Sequence, residues 1–356
     1  MRIAGKTVLI TGGASGIGKI MGRICLEKGA SNLVIWDLNP ENIKRTEVEL
    51  GLNTKNNKNT DKTTEEPEIK QRMETKQNPE TELNRQPATE QNPATEQNPT
   101  MERNPVTSRI HSYIVNCADA EAVALTYAKV KEEVGEVDVL INCAGIVRGN
   151  NTFDKQTVKD INLTMDVNAT APMLVALQAL PDMIRRDCGC VCNIASAAGM
   201  LGVPKMSVYC ASKWAVIGWT ESMRIELKMA GSKVKVMSVA PYFINTGMFD
   251  GVQSKIFPIL KPETVAAKII AAIEKGKSFK GIPFPYHFIR FWQGVLPLSL
   301  FDFIFGKCFG VYSVMDHFTG RKNEAGSKPQ SGNMEGQSGN IKTKSLSLRR
   351  HIQKAS

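Results

Sequence analysis

The feature that most restricts this chain is a glycine-rich turn, Thr11-Gly12-Gly13-Ala14-Ser15-Gly16-Ile17-Gly18, set between two different periodicities. Before it, Lys6-Thr7-Val8-Leu9-Ile10 is a short apolar, β-branched run of the kind that forms a buried parallel strand. After it, Ile17, Ile20, Met21, Ile24 and Cys25 recur at helical spacing. Strand, glycine turn and helix in that order open an α/β crossover unit. Glycines let the backbone turn sharply and approach a ligand closely, while the free N–H groups and dipole of the helix start favour an anion such as a pyrophosphate. Gly12, Ser15, Gly16, Ile17 and Gly18 are therefore the candidates to hold one.

The rest of the body repeats the alternation. Strands are expected at 32–36, 112–115, 137–141, 191–194 and 234–239, with a short one at 279–282, and helices at 121–134, 163–185, 208–229 and 262–274. Such an order specifies a doubly wound, Rossmann-type parallel sheet with its site at the carboxyl ends of the strands. The catalytic domain is read as residues 1–50 and 109–282.

Between those two pieces, 51–108 is rich in Asn, Thr, Glu, Gln and Pro, and it contains the near-repeats Pro87-Ala88-Thr89-Glu90-Gln91-Asn92 and Pro93-Ala94-Thr95-Glu96-Gln97-Asn98. This composition offers too little apolar surface to offset its ordering entropy, so a disordered, low-complexity insertion is expected. The tail, 321–356, has eight basic residues against Glu324 and Glu335, and accounts for most of the formal charge of +10. A disordered, solubilising or weakly membrane-attracted appendage is expected, and no basic–aromatic patch points to nucleic acid. Segment 283–320 is apolar, with Phe284, Phe288, Phe291, Trp292, Phe301, Phe303 and Phe305, but His287, Arg290, Asp302 and Lys307 interrupt it. It is too interrupted for a membrane span, leaving a helical extension that covers a pocket, packs at a subunit interface or lies on a membrane surface through 283–311. The eight cysteines lack paired Cys-x-x-Cys spacing and the four histidines are scattered, so no metal site is expected. Free thiols and the absence of a signal segment fit a cytosolic chain, with peripheral membrane contact as the alternative.

The chemistry-bearing residues are Tyr209 and Lys213, one helical turn apart, with Ser196 upstream. Positions i and i+4 share a helix face, so an ammonium at Lys213 can stabilise a phenolate at Tyr209. That is needed because an ordinary tyrosine has a pKa of about 10. Tyr209 then serves as general base or acid, and Ser196, in the loop after a strand, orients the substrate oxygen. At the end of the second strand, Asp37 lies about 20 residues beyond the turn, where an acid bonds an adenosine ribose and repels a 2′-phosphate. NAD is thus expected over NADP, although Lys19 and Lys44 soften the discrimination; the competing role for Asp37 is a helix cap or turn start.

Together these residues resemble the short-chain dehydrogenase/reductases. The family's Thr-Gly-x-x-x-Gly-x-Gly turn is matched by Thr11, Gly12, Gly16 and Gly18. Asn142-Cys143-Ala144-Gly145 resembles its Asn-Asn-Ala-Gly element, and Asn193-Ile194-Ala195-Ser196 with Tyr209-x-x-x-Lys213 resembles its active-site segment. Within the family, Ala240-Pro241-Tyr242-Phe243-Ile244-Asn245-Thr246-Gly247-Met248-Phe249 and Val314-Met315-Asp316-His317-Phe318 are similar to the branch of epidermal retinol dehydrogenase and 17β-hydroxysteroid dehydrogenase type 11. The resemblance implies that Asn168 joins the catalytic set, holding a water near Lys213, and that Lys213 also binds the cofactor ribose. It further implies that Asn142, Ala144 and Gly145 border the cofactor. Thr246 bonds the nicotinamide carboxamide or is a plain turn residue. Two departures stand out: Asn116 replaces an adenine-contacting Asp, which an amide oxygen can substitute, and Tyr242 replaces a glycine, adding bulk near the nicotinamide. The expected function is NAD-dependent interconversion of a hydrophobic alcohol (retinoid, steroid or long-chain) and its carbonyl by a homo-oligomer. A 3-oxoacyl-type carbonyl reductase and a non-catalytic dinucleotide sensor are the alternatives.

Overall fold

Thr7–Thr11 (β1) is buried at every position, as a central strand covered on both faces must be. The computed structural model describes residues 1–60, 109–148, 151–255 and 257–320, with the backbone alone for 52–60. The strands that follow are Asn32–Asp37 (β2), Arg109–Ile114 (β3), Val139–Asn142 (β4), Cys190–Ile194 (β5), Lys235–Pro241 (β6) and Phe279–Ile282 (β7). They form one seven-stranded sheet in the order β3-β2-β1-β4-β5-β6-β7, every pairing parallel. The order reverses between β1 and β4, which opens a crevice at their carboxyl ends.

Alternate residues of the strands feed two cores. On one face Val8, Ile10, Ile35, Ile141 and Cys192 pack with Met21 and Cys25 of the helix Gly16–Glu27 (α1), Ile43 and Leu50 of Pro40–Thr60 (α2), and Ile269 and Ile273 of Pro262–Glu274 (α7). On the other face Leu9, Val34, Leu140 and Val191 meet Ala120–Glu133 (α3), Ala171–Arg185 (α5) and Ser207–Met229 (α6). Helix α3 starts where the sequence provides a cap: the Asp119 carboxylate accepts from the backbone N–H of Glu121 and Ala122, both at 3.0 Å.

The single helix expected at 163–185 is instead three pieces. Val158–Met165 (α4) is capped by Thr157, which accepts from Asp160 N at 3.1 Å; a π-helical segment, Asp166–Thr170, follows; then α5 begins. Pro172 has no N–H to return to the Asn168 carbonyl, and the Ala171 N–H reaches back five residues to Asp166 O. Helix α2 runs on past Gly51 to Thr60. The rest of the expected insertion and the basic tail at 321–356 lie outside the described residues.

Segment 283–320 forms short helical turns, including Ile289–Val295 (α8), Leu298–Phe301 (α9) and a π-helical turn at Asp302–Cys308. It has two sides. Tyr286, Ile289 and Phe301 are buried with Leu201, Val216, Ile217 and Ala240, and Val314 and Met315 with Met206, Tyr209 and Cys210. Phe284, Phe288, Phe291, Leu298 and Phe303 are exposed. Among the described residues no helix is long and apolar enough to cross a membrane, and no cluster could hold a metal ion. All eight cysteines are free.

Candidate active site

The glycine turn is built by close backbone approach. Gly12 and Gly16 have φ of +64° and +52°, in the region where a side chain is strained. A Cβ on Gly12 would come within 2.9 Å of Ala144 Cα, and one on Gly18 would run into the Gly12 carbonyl oxygen. The turn is tied across to the loop after β4: Thr11 Oγ1 accepts from Cys143 N at 3.1 Å and from Ala144 N at 3.2 Å. On its other side Asp37 Oδ2 accepts from Ala14 N and Oδ1 from Asn39 N, each at 3.1 Å. Buried Thr46 holds the Ala14 carbonyl at 2.9 Å. A side-chain-free surface at a helix N-terminus, with a carboxylate fixed beside it, fits the pyrophosphate and ribose of a dinucleotide.

At the far end, the strand ends and α6 bring the reactive side chains together. Ser196 follows β5 and caps a short 3₁₀ turn, its Oγ accepting from Ala198 N at 3.2 Å. Tyr209 and Lys213 lie in the first two turns of α6, at 5 % and 4 % exposure. Lys213 Nζ donates to the Ile194 carbonyl at 3.1 Å and sits 5.8 Å from the Tyr209 ring centroid. Burial dominates both groups. It pulls the Lys213 ammonium down to about 8, and it pushes the Tyr209 phenol above its ordinary value, opposed in part by a hydrogen bond with Ser196. The protein's own groups therefore favour a protonated phenol. Taking a proton from an alcohol needs further positive charge, whereas giving one to a carbonyl does not.

Asn168 sits in the π-helical segment and is fully buried. Its side chain accepts from Ile146 N at 2.8 Å and donates to Ile146 O at 2.9 Å and to Ser212 Oγ at 3.2 Å. It holds the loop after β4 against α6. Asn142 is also interior, donating to Asn193 Oδ1 at 2.9 Å and to Pro172 O at 3.2 Å, so it braces β4 against β5 and α5.

Between these ends runs one cleft of about 790 Å³. Of the expected residues, Gly12, Ser15, Gly16, Ile17, Gly18, Asp37, Asn116, Ala144, Gly145, Ser196, Tyr209, Lys213 and Thr246 line it; Asn142 and Asn168 stand behind its wall. Sequence reasoning missed Arg148 and Leu163, which no motif marks, Val167, which stands beside Asn168 in the element Asp166-Val167-Asn168-Ala169, and the bracing by Thr11, which its place in the turn motif did signal.

A family model described as short chain dehydrogenase matches residues 87–256. Epidermal retinol dehydrogenase 2 of Mus musculus is 32 % identical over 327 residues, covering 90 % of this chain and 88 % of that protein. Estradiol 17-beta-dehydrogenase 11 of Homo sapiens is 27 % identical over 297 residues, covering 83 % and 80 %. Among solved structures, a short chain dehydrogenase/reductase from Burkholderia phymatum in complex with NAD superposes with a TM-score of 0.62 at 19 % identity, over 83 % of this chain and 95 % of that one. With the parallel sheet, the glycine cradle and this likeness over nearly its whole length, the chain belongs to the short-chain dehydrogenase/reductase family, whose members act on CH–OH groups with NAD or NADP.

Proposed function

We propose that this chain is an NAD-preferring dehydrogenase that interconverts a hydrophobic alcohol, of retinoid, steroid or long-chain type, and its carbonyl counterpart. The observation that carries the reading is the convergence of Ser196, Tyr209 and Lys213 at one end of a cleft whose other end is the glycine cradle. When bound, the nicotinamide ring supplies the hydride acceptor or donor. The Ser196 hydroxyl donates to the substrate oxygen and fixes its position. Tyr209 gives its phenolic proton to that oxygen in reduction and recovers it in oxidation. Lys213 binds the cofactor ribose and offsets charge on the phenol, and Asn168 keeps the loop at Gly145 and Ile146 in place. Gly12, Ser15, Gly16, Ile17 and Gly18 hold the pyrophosphate, Asn116 the adenine, and Thr246 the carboxamide.

The NAD preference rests on charge. Asp37 and Glu41 border the ribose end, and the stretch 36–42 contains no basic residue. Of the two lysines that could soften the discrimination, Lys19 is paired with Glu49 at 2.6 Å. A hydrophobic substrate is supported by Val167, Tyr242, Met248 and Phe249 around Ser196 and Tyr209, and by what the named relatives are called. The exposed aromatic side of 283–311 supports peripheral contact with a membrane that holds such a substrate, and self-association is its competing use. Free thiols support a reducing, cytosolic setting.

Retinol, a hydroxysteroid and a long-chain alcohol, each offered with NAD and with NADP and followed by reduced-cofactor absorbance, test the reading. Turnover of at least one with NAD is expected. A protein that titrates with NADH yet turns over none of them, or their carbonyls in reverse, would be a sensor instead.

A further inference from the structure

Tyr242, directly after β6, stands where the family pattern has a glycine. Its position is defined from several sides. The Tyr242 hydroxyl donates to Ser254 Oγ at 2.8 Å, its N–H donates to Ile282 O at 2.7 Å, and its ring packs against Phe243, Tyr286 and Phe257 with centroids 4.8, 5.4 and 5.9 Å away. Behind it lie two apolar cavities. One, of about 30 Å³, begins at Ser196 and runs between Leu201, Phe249 and Tyr286; the other, of about 110 Å³, lies under α8 between Phe257, Ile289, Trp292 and Phe305. Among the described residues Tyr242 alone borders the catalytic cleft and both cavities.

The arrangement separates two spaces that share one wall. The cleft on the near side is largely bordered by the dinucleotide-binding residues, which leaves little room for a substrate body beyond the reacting carbon. The catalytic Ser196 itself faces both sides. A run of rings, Tyr209, Phe249, Phe243, Tyr242 and Tyr286, leads from the phenol into the far compartment, each ring within 6.0 Å of the next. Such a surface suits an extended apolar molecule and offers nothing to a small polar one.

We propose that the two cavities behind Tyr242 form the subsite for the distal apolar body of the substrate, and that Tyr242, pinned by Ser254, is the gate that sets how long a substrate is accepted. This rests on the dehydrogenase reading above. A short alcohol reacts without disturbing the gate; a long one must displace the Tyr242 ring and break its bond to Ser254.

The test compares hexanol with dodecanol in the full-length protein. Ser254→Ala frees the gate without removing a side chain that lines any of the three spaces, and Tyr242→Ala removes the gate. Relative to wild type, the dodecanol-to-hexanol ratio of kcat/KM should rise in both, by about tenfold in Tyr242→Ala. If Tyr242→Ala fails to fold, Ser254→Ala alone decides. An unchanged or lower ratio in the folded variants would overturn the gate. A binding readout independent of turnover uses Trp292, which borders the far cavity. Dodecanol should shift its emission to shorter wavelength by replacing water beside the indole, more strongly in Tyr242→Ala than in wild type, with Trp292→Phe as the blank. A shift without turnover would count against the dehydrogenase reading while leaving the subsite standing; no shift in any variant would overturn the subsite.

Discussion

Lys213 is the residue whose charge the mechanism needs and whose burial opposes that charge. With its ammonium drawn down to about 8, it is charged at neutral pH and loses the proton as pH rises through that value. A ribose held by the ammonium raises its pKa again, so cofactor binding above pH 8 takes up a proton. NADH affinity should therefore be full near neutrality and fall as pH rises past about 8, as fluorescence titration up to about pH 10 would show; a flat profile contradicts the ribose role. Asp37→Ala should narrow the NAD-over-NADP ratio of kcat/KM by about tenfold, the worth of one charge-assisted hydrogen bond. Because the same carboxylate fixes Ala14 N, affinity for both coenzymes should also drop, which makes the ratio the informative quantity. The spacing of Asp37 from the turn made its place readable in the chain. That Asn142 and Asn168 brace the wall rather than line it was not readable, since a motif records which residues recur and not which way they point.

At the scale of elements, strand and helix alternation announced the parallel sheet, and 262–274 and 279–282 lie where the periodicity put them. Two things escaped. The π-helical segment depends on the missing N–H of Pro172, and a hydrophobic pattern carries no trace of a five-residue reach. The tie between β1 and the loop after β4 depends on two backbone N–H groups meeting one hydroxyl; the turn motif marks Thr11, but a hydrophobic pattern does not show which N–H groups it meets. Thr11→Val keeps the shape but leaves Cys143 N and Ala144 N without their acceptor. About 1–3 kcal/mol of stability should go with them, read as a lower Tm together with weaker NADH binding. An unchanged Tm and affinity would show that the tie does not hold the cradle.

Across the whole molecule, two stretches outside the expected catalytic domain differ in what they do for it. Replacing 52–108 with a short glycine–serine linker should leave soluble expression and the dehydrogenase rate intact, because that composition has no core to contribute. Truncation after Ile282 should do the opposite. It removes Tyr286, Ile289 and Phe301 from one core and Val314 and Met315 from the group around Tyr209, so cooperative unfolding should be lost, as calorimetry would register. The aromatic richness of 283–320 was plain in the sequence; which of its rings face inward was decided by the cavity they close. The claim on which everything else depends is that Tyr209 transfers the proton. Tyr209→Phe removes one hydroxyl and leaves the cradle, so the variant should fold and titrate with NADH like the wild type while turnover falls by about 10²–10⁴-fold. Near-wild-type turnover by that folded, NADH-binding variant, on any alcohol the wild type accepts, would contradict the account.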